Sequence, residues 1–255
     1  SPPLPLAEHA AAIKESVDIP VIAVGKIHDP EEAEALIREE KADFVSIGRG
    51  LITDSHIVKK IEVGQIENIR KCIQCNQKCI DPLLVYQLPV SCIYNARVGR
   101  EYEFPFEKAR RAKKVVVVGG GPAGLEAAWV ARERGHRVVL FERSGELGGQ
   151  AILAKVPPKK DRFGEILRYL IHRVEALGVD VRKNTEATTA AILEEKPDAV
   201  ILATGARPLI PKLPGLESAK AVTAWDVLEG KVKPGRRVAI IGGGVVGCET
   251  AEFLA

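Results

Sequence analysis

The stretch Val115-Val-Val-Val-Gly-Gly-Gly-Pro-Ala-Gly124 decides the fold of the central part of the chain. Its valines predict a buried strand, and the glycines form the pattern G-x-G-x-x-G, with Pro122-Ala123 before the last glycine, at the entrance to a helix. Gly119 permits a tight turn, Gly121 lets the backbone approach a pyrophosphate, and Gly124 lets the helix pack closely against the strand. This order of strand, turn and helix predicts a Rossmann-like dinucleotide site.

Three later features flank the predicted site. Glu142 ends the next predicted strand, where a carboxylate can accept hydrogen bonds from the ribose hydroxyls of adenosine; taken alone, it is equally a surface acid at a strand end. Gly149-Gln150 lies in a glycine-rich turn soon afterwards. Thr204-Gly205 follows a predicted buried strand at 199–202, and a glycine there allows a ligand to approach the backbone. Between these turns, residues 151–163 predict a surface loop.

The same fingerprint occurs a second time near the end of the sequence. An apolar run at 238–241 predicts a strand, and Gly242, Gly244 and Gly247 repeat the glycine spacing at the start of a new helix. A packing turn is the alternative for this match alone, but the repeat argues for a second nucleotide site. The acidic or basic residue that separates NADH from NADPH lies on a later strand, so this choice stays open.

Four of the five cysteines are grouped, with the spacing C-x2-C-x3-C-x12-C. Clustered cysteines in a chain without secretory signs favour metal binding over disulfides, since the cytosol is reducing. Structural zinc takes two short cysteine knuckles separated by a longer loop, whereas three close cysteines and a distant fourth are typical of a cubane iron–sulfur cluster. The spacing favours the cluster and leaves zinc as the alternative for these ligands: Cys72, Cys75, Cys79 and Cys92.

The first part of the chain predicts two parallel strand–helix units. Apolar runs at 21–25 and 44–47 read as buried strands, and Asp29-Pro30 is an N-cap and first helical position, with a capping-box glutamate at position 32. Two such units expose sheet edges, so they fit the end of a (β/α)8 barrel, where the loops after the last strands form a phosphate site. The residues of that predicted site are Gly25, Lys26, Gly48 and Arg49; solvated surface charges are the alternative for the lysine and arginine.

Composition excludes several classes of protein. The chain has 255 residues, 46% apolar and 28% charged, which is an ordinary globular mixture. A net charge of +3 gives no field that attracts nucleic acid, and no apolar run is long enough to span a membrane. The chain contains no methionine, so we expect it to be an internal piece of a longer cytoplasmic protein with a small-molecule substrate. Its oligomeric state is left open.

The order of barrel end, cysteine cluster and two fingerprints resembles the 2,4-dienoyl-CoA reductase and trimethylamine dehydrogenase family, the multidomain members of the old yellow enzyme group. The resemblance rests on Pro20–Lys26, Val45–Arg49, Cys72–Cys79 with Cys92, Val118–Gly124, Gly148–Gln150 and Ala203–Gly205. It implies an α/β chain in four segments: 1–70 as the end of an FMN-binding TIM barrel, 71–112 as cluster segment and linker, 113–236 as the FAD-binding Rossmann-like domain, and 237–255 as the start of the NAD(P)-binding domain.

The resemblance also implies cofactors and a reaction. FMN phosphate binds near the four barrel-loop residues, the cysteines hold a [4Fe-4S] cluster, FAD lies on the first fingerprint, and NAD(P)H binds the second. Electrons then pass from NAD(P)H to FAD, the cluster and FMN, and reduce an activated C=C bond of an enoyl or dienoyl thioester or an enoate. An amine dehydrogenase of the same family and an electron-transfer subunit serving a partner are the alternatives. The catalytic acid is expected upstream of Ser1.

Overall fold

The computed structural model describes residues 4–216 and 220–255. These residues form two compact units, one that extends to Pro105 and one from Phe106 to Ala255. The four grouped cysteines fall in the first unit and both glycine fingerprints fall in the second. No helix in these described ranges is long and apolar enough to cross a membrane.

The first unit is a strand–helix–strand unit followed by short helices. Its elements are α1 (Ala7–Ser16), β1 (Ile22–Val24), α2 (Pro30–Arg38), β2 (Phe44–Ser46), α3 (Arg49–Thr53), α4 (Ile57–Glu62), a 3-10 turn (Ile66–Asn68) and α5 (Ile80–Tyr86). The strands β1 and β2 pair in parallel, with Val24 opposite Ser46. The loops that follow them therefore leave the same edge of the sheet, as expected for neighbouring units of a barrel.

The start of α2 follows the sequence prediction in part. Asp29 caps the helix by accepting the Glu31 N–H through Oδ1, and Pro30 occupies the first helical position. The predicted capping box is wrong, because Asp29 accepts the N–H of Glu31 rather than that of Glu32, and no reciprocal bond from Glu32 is formed at this helix start. The second Asp29 oxygen accepts a hydrogen bond from Lys71 Nζ at 2.5 Å. The lysine lies next to Cys72, so the cap of α2 also ties down the start of the cysteine segment.

The strands of the first unit are less buried than their apolar sequences predict. Ala23 is buried, but Ile22, Val24 and Phe44 are each more than half exposed. A parallel strand is normally covered on both faces, and among the described residues nothing covers this face of β1 and β2. A small core of α1, β1 and α2 residues lies on the other face, around Ala23, Ile27 and Leu36.

The second unit is built on a four-stranded parallel sheet. Its elements are β3 (Lys114–Val118), α6 (Pro122–Glu133), β4 (Arg137–Phe141), α7 (Ala151–Ala154), a 3-10 turn (Asp161–Phe163), α8 (Gly164–Ala176), β5 (Asp180–Arg182), α9 (Thr189–Glu194), β6 (Ala199–Leu202), α10 (Ala224–Leu228) and α11 (Val245–Leu254). The strand order is β5-β4-β3-β6. Strands β4 and β5 are added on one side of β3, and β6 is added on the other side. Ligands of such folds bind at this switch point between β3 and β6, beyond the carboxyl ends of the strands.

The core of this sheet fixes the position of the first fingerprint. Val116, Val117, Leu125 and Leu140 are fully buried, and each such side chain contributes about 1.5–3 kcal/mol when it leaves water. Trp129 of α6 packs in this core as well, edge-on to a buried tyrosine of α8. Strand β6 was predicted to be buried, but its residues are exposed. Among the described residues it lies at the edge of the sheet and pairs with β3 alone.

Two further expectations need correction. The predicted loop at 151–163 begins with the short helix α7. The apolar run at 238–241 forms no strand, and it is exposed, because a strand needs a hydrogen-bonded neighbour and the described residues provide none beside it. The glycine turn and α11 form all the same.

Candidate cofactor sites

All four grouped cysteines line one pocket of the first unit. Cys72 is buried, and the other three are half-buried. The loop between the first three bends sharply, with left-handed backbone at Gln74 (φ 59°) and Asn76 (φ 60°). These two bends turn the short C-x2-C-x3-C segment back on itself, so that residues only three and four apart can face the same space.

Each of the four sulfurs accepts a backbone hydrogen bond. The N–H of Gln74 donates to Cys72 Sγ and the N–H of Tyr94 donates to Cys92 Sγ, both at 3.4 Å. The main chain also donates to the sulfurs of Cys75 and Cys79. Backbone donors favour the charged form of an acceptor, and donors to thiolate sulfurs tune the potential of iron–sulfur centres. The loop is thus built to hold thiolates.

Burial acts against those thiolates in the metal-free protein. Desolvation raises the pKa of the Cys75 thiol above its ordinary value, and the neighbouring cysteines raise it further. Burial likewise raises the pKa of Cys79, while its backbone bond and the charge of Arg49 oppose that rise. A bound metal centre removes this penalty because it deprotonates a coordinating thiol outright.

The donor set suits a thiophilic centre. Four thiols share the pocket, and the described side chains that line it include no Asp or Glu, the ligands that hard cations require. Within residues 4–216 and 220–255, no three His, Cys, Asp or Glu side chains are arranged to grip a single metal ion. The fit therefore rests on the shared thiol-lined pocket and on its backbone donors.

A buried ion-pair network holds both ends of the cysteine segment, and sequence reasoning missed it. The buried carboxylate of Asp54 accepts Lys60 Nζ at 2.5 Å and the backbone N–H of Arg70 at 2.9 Å. Arg70 in turn donates from Nη1 to the carbonyl of Tyr94 at 2.7 Å. Arg70 precedes Cys72 by two residues and Tyr94 follows Cys92 by two. This hydrogen bond therefore joins the two loop segments that carry the first and the last thiol.

The four residues predicted to bind the FMN phosphate lie at the carboxyl ends of β1 and β2. Gly25 (φ 118°) and Lys26 (φ 54°) follow β1, and Gly48 caps α3 immediately after β2. The side chain of Arg49 extends to the cysteine pocket, where Nη1 donates to Asn76 Oδ1 at 2.6 Å.

The first fingerprint has the close contacts that its glycines predict. A Cβ on Gly119 (φ 105°) would lie 2.4 Å from the carbonyl oxygen of Ala203, and a Cβ on Gly124 would lie 1.8 Å from Gly119 O. Gly121 is the N-cap of α6, and its Cβ would meet nothing closer than 3.9 Å. Two glycines thus serve the fold, while the third leaves the helix N-terminus open to a phosphate.

The later glycine turns lie beside the first fingerprint. A Cβ on Gly149 (φ 51°) would come within 3.1 Å of Gly121 Cα. Gln150 Nε2 donates to the carbonyl of Ala206 at 3.2 Å, and the residue before that carbonyl is Gly205 (φ 73°), next to Thr204. The structure therefore brings the three predicted turns together at the switch point of the sheet.

Glu142 is buried and accepts hydrogen bonds from within the protein. Its Oε2 accepts the N–H of Gly120 at 2.7 Å, and its Oε1 accepts the N–H and the hydroxyl of Ser144 at 2.8 and 2.9 Å. A carboxylate offers about four lone-pair sites, so one remains for a ribose hydroxyl. The buried carboxylate chiefly holds the glycine turn against the loop after β4.

The second fingerprint reproduces the backbone turn of the first, although a Cβ on Gly242 would meet nothing within 4 Å, whereas one on Gly119 would meet Ala203. Gly242 has φ 111°, and a Cβ on Gly247 would lie 2.0 Å from Gly242 O. Gly244 caps α11 with φ −78° and ψ −179°, against −76° and 179° for Gly121 at α6. The same spacing thus produces the same turn twice, each with an open helix N-terminus.

Two regions of the chain match families of known proteins. Residues 113–255 match the family model described as pyridine nucleotide-disulphide oxidoreductase, and residues 5–68 match the NADH:flavin oxidoreductase / NADH oxidase family. Among curated relatives, bilirubin reductase of Mediterraneibacter gnavus is 46% identical over 98% of this chain and 39% of its own length. Cinnamate reductase of Clostridium sporogenes is 40% identical over 95% of this chain and 36% of its own length.

Solved structures share the fold. The chain matches a 2-naphthoyl-CoA reductase in complex with 2-naphthoyl-CoA, with a TM-score of 0.95 and 34% identity over 100% of this chain and 39% of that one. It also matches histamine dehydrogenase from Rhizobium sp. 4-9, with a TM-score of 0.74 and 29% identity over 79% of this chain and 30% of that one. The chain spans about two fifths of the length of the first curated relatives it matches.

Proposed function

This chain belongs to the multidomain, old yellow enzyme-like NADH:flavin oxidoreductases, and we propose that the full-length protein is an NAD(P)H-dependent iron–sulfur flavoenzyme that reduces an activated C=C bond. The observation that carries this proposal is the pair of glycine turns with matching geometry. Two nucleotide cradles in one chain suit hydride transfer between a nicotinamide nucleotide and a flavin.

The residues of this chain have separate roles in the proposal. FAD is held by Gly119, Gly121, Pro122, Ala123, Gly124, Glu142, Gly149, Gln150, Thr204 and Gly205. NAD(P)H is held by Gly242, Gly244 and Gly247. The FMN phosphate is held by Gly25, Lys26, Gly48 and Arg49, and a [4Fe-4S] cluster is held by Cys72, Cys75, Cys79 and Cys92. When bound, the nicotinamide supplies two electrons as a hydride, the flavins exchange one or two, and the cluster exchanges one, in the order NAD(P)H, FAD, cluster, FMN, substrate.

The protein's own contribution is to position these cofactors and to surround them with hydrogen-bond donors and favourable charge. The helix N-termini of α6 and α11 direct backbone N–H groups and the positive end of the helix dipole toward a pyrophosphate. Glu142 fixes the first turn through Gly120 and Ser144. The cysteine loop presents four sulfurs with backbone donors already in place. The segment assignment 1–70, 71–112, 113–236 and 237–255 is part of this proposal.

The substrate class is proposed from the relatives. The names of three matched proteins specify reduction: bilirubin reductase, cinnamate reductase and 2-naphthoyl-CoA reductase. A conjugated enoate or an enoyl thioester is a hydride acceptor of that kind, because its carbonyl stabilises the charge that develops on the adjacent carbon.

Amine oxidation is the second candidate function, and a specific observation favours it. A dimethylglycine/sarcosine dehydrogenase of Chromohalobacter salexigens is 40% identical over the whole of this chain. The intact second glycine turn weighs toward use of a nicotinamide nucleotide as the electron source. The third possibility, an electron-transfer subunit, fits less well because residues 5–68 match the FMN-binding family.

The test uses the full-length protein without oxygen. We expect NADH or NADPH to bleach the flavin, and cinnamate or an enoyl thioester to restore its colour, whereas dimethylglycine should neither bleach nor restore it. Cys75→Ser should keep the bleaching of FAD and lose reduction of the C=C acceptor. Lys59→Gln, which removes an exposed charge of the first unit, is the control and should behave like the wild type. Bleaching by the amine and not by either nucleotide would contradict the proposal.

A further inference from the structure

Arg49 belongs to two sites at once. Its backbone begins α3, directly after Gly48 and the end of β2, in the loop predicted to bind the FMN phosphate. Its half-buried side chain lines the cysteine pocket, and Nη1 lies 2.6 Å from Asn76 Oδ1. A charge-assisted bond of this length is among the strong hydrogen bonds of proteins. One nitrogen of the guanidinium is therefore bonded to the cysteine loop, while the backbone of the same residue lies in the predicted phosphate loop.

The partner of this bond is a structural centre of the loop. Asn76 follows Cys75 and adopts the left-handed backbone conformation that asparagine tolerates better than most residues. Its carbonyl accepts the N–H groups of Ile80 and Asp81 at 3.2 and 3.1 Å, at the start of α5. A side chain that fixes Asn76 thus fixes the turn between Cys75 and Cys79.

The charge of Arg49 also bears on the sulfurs. The guanidinium lines the same pocket as the four cysteines. The other cation among the described lining residues, Lys78, is exposed to water, which screens its charge. A cluster with four thiolate ligands is negatively charged, and each added electron makes it more so, so a half-buried cation beside it stabilises the reduced form.

We propose that the Arg49 side chain positions the cysteine loop through Asn76 and supplies positive charge to the metal centre. The inference rests on the proposed function for the identity of the centre. It divides the residue between two tasks: its main chain belongs to the phosphate loop, and its side chain links that loop to the cluster segment.

Three variants of the full-length protein separate position from charge. Arg49→Gln removes the charge, Arg49→Lys keeps the charge but loses the planar fork, and Asn76→Gly removes the acceptor while tolerating the left-handed backbone. Lys59→Gln is the matched control, since it removes an exposed charge from α4 of the same unit. The readouts are the midpoint potential in an EPR-monitored titration, the rate of iron release to a chelator, and FMN per chain after acid extraction.

We expect Arg49→Gln to lower the reduced-to-oxidised ratio of the cluster about tenfold at fixed potential, which is about 59 mV for one electron. The midpoint potential of the cluster in Arg49→Lys and Asn76→Gly should stay close to that of the wild type. Iron release to the chelator should be several times faster in Asn76→Gly and Arg49→Gln than in the wild type. An unchanged potential and unchanged iron release in Arg49→Gln would overturn the inference, whatever its FMN content. Zinc in place of iron in the wild type would instead overturn the proposed function.

Discussion

Alanine substitutions, which add one methyl group each, can distinguish the structural role of Gly124 from the proposed FAD-binding role of Gly121 in the first fingerprint. A Cβ on Gly124 would lie 1.8 Å from the carbonyl oxygen of Gly119, whereas such atoms pack at about 3.5 Å. Gly124→Ala therefore forces α6 away from β3 by more than 1 Å, roughly the difference between these distances. Overpacking of this kind costs about 1–3 kcal/mol. For a unit of this size it should lower the apoprotein Tm by roughly 2–12 °C.

Gly121→Ala is the contrasting variant. Its Cβ would meet Gly149 Cα at 3.9 Å, an ordinary contact, and its backbone is extended enough for alanine. Its apoprotein should melt within about 2 °C of the wild type, while its FAD affinity should fall at least about tenfold because the methyl occupies the approach of the pyrophosphate. Calorimetry of the FAD-free proteins and titration with FAD provide the two measurements. If Gly124→Ala melts like the wild type, or Gly121→Ala binds FAD fully, the assigned roles are wrong.

Three further changes test other parts of the molecule. Glu142→Gln places an amide donor against N–H groups and should weaken FAD binding about tenfold, measured by equilibrium dialysis; unchanged binding would refute its role. Arg70→Lys loses the bond to the Tyr94 carbonyl and should lower the free energy of unfolding of the first unit by about 1.5–3 kcal/mol, as urea titration can show. Hydrogen bonds from Lys114 and a neighbouring arginine hold the pKa of Glu195 below its usual 4.5. Its stabilising effect is thus present at neutral pH and lost as the pH falls below that value. Glu195→Gln should flatten this acid-side loss in urea midpoints, and an unchanged slope would contradict it.

The sequence predicts local turns well and long-range polar contacts poorly. The two glycine fingerprints adopt nearly equal backbone angles because the spacing alone demands a positive φ and a close helix approach. The grouping of Cys72, Cys75 and Cys79 follows from spacing and sharp local bends, whereas Cys92 is held near them by the long-range bond from Arg70 to the Tyr94 carbonyl. By contrast, the contact of Arg49 with Asn76 joins residues 27 positions apart. Such a pair has no periodicity, so nothing in the linear pattern indicates it.

Helix α8 was not predicted, although the sequence contains a signal for it. Helix α8 buries Leu167, Leu170 and Val174, and that spacing of three and four is typical of an amphipathic helix. The exposure of β1 and β6 has another origin. A buried strand is a property of what packs on both faces, and an apolar run indicates that a cover exists without indicating which residues form it.

The content of the cysteine pocket tests the account most directly. Iron and acid-labile sulfide should be determined on anaerobically purified full-length protein, for the wild type and for Cys75→Ser. We predict about four iron and four sulfide per chain in the wild type, with the majority lost in the variant. One zinc per chain without sulfide, or equal iron in both proteins, would contradict the claim that these four thiols hold an iron–sulfur cluster.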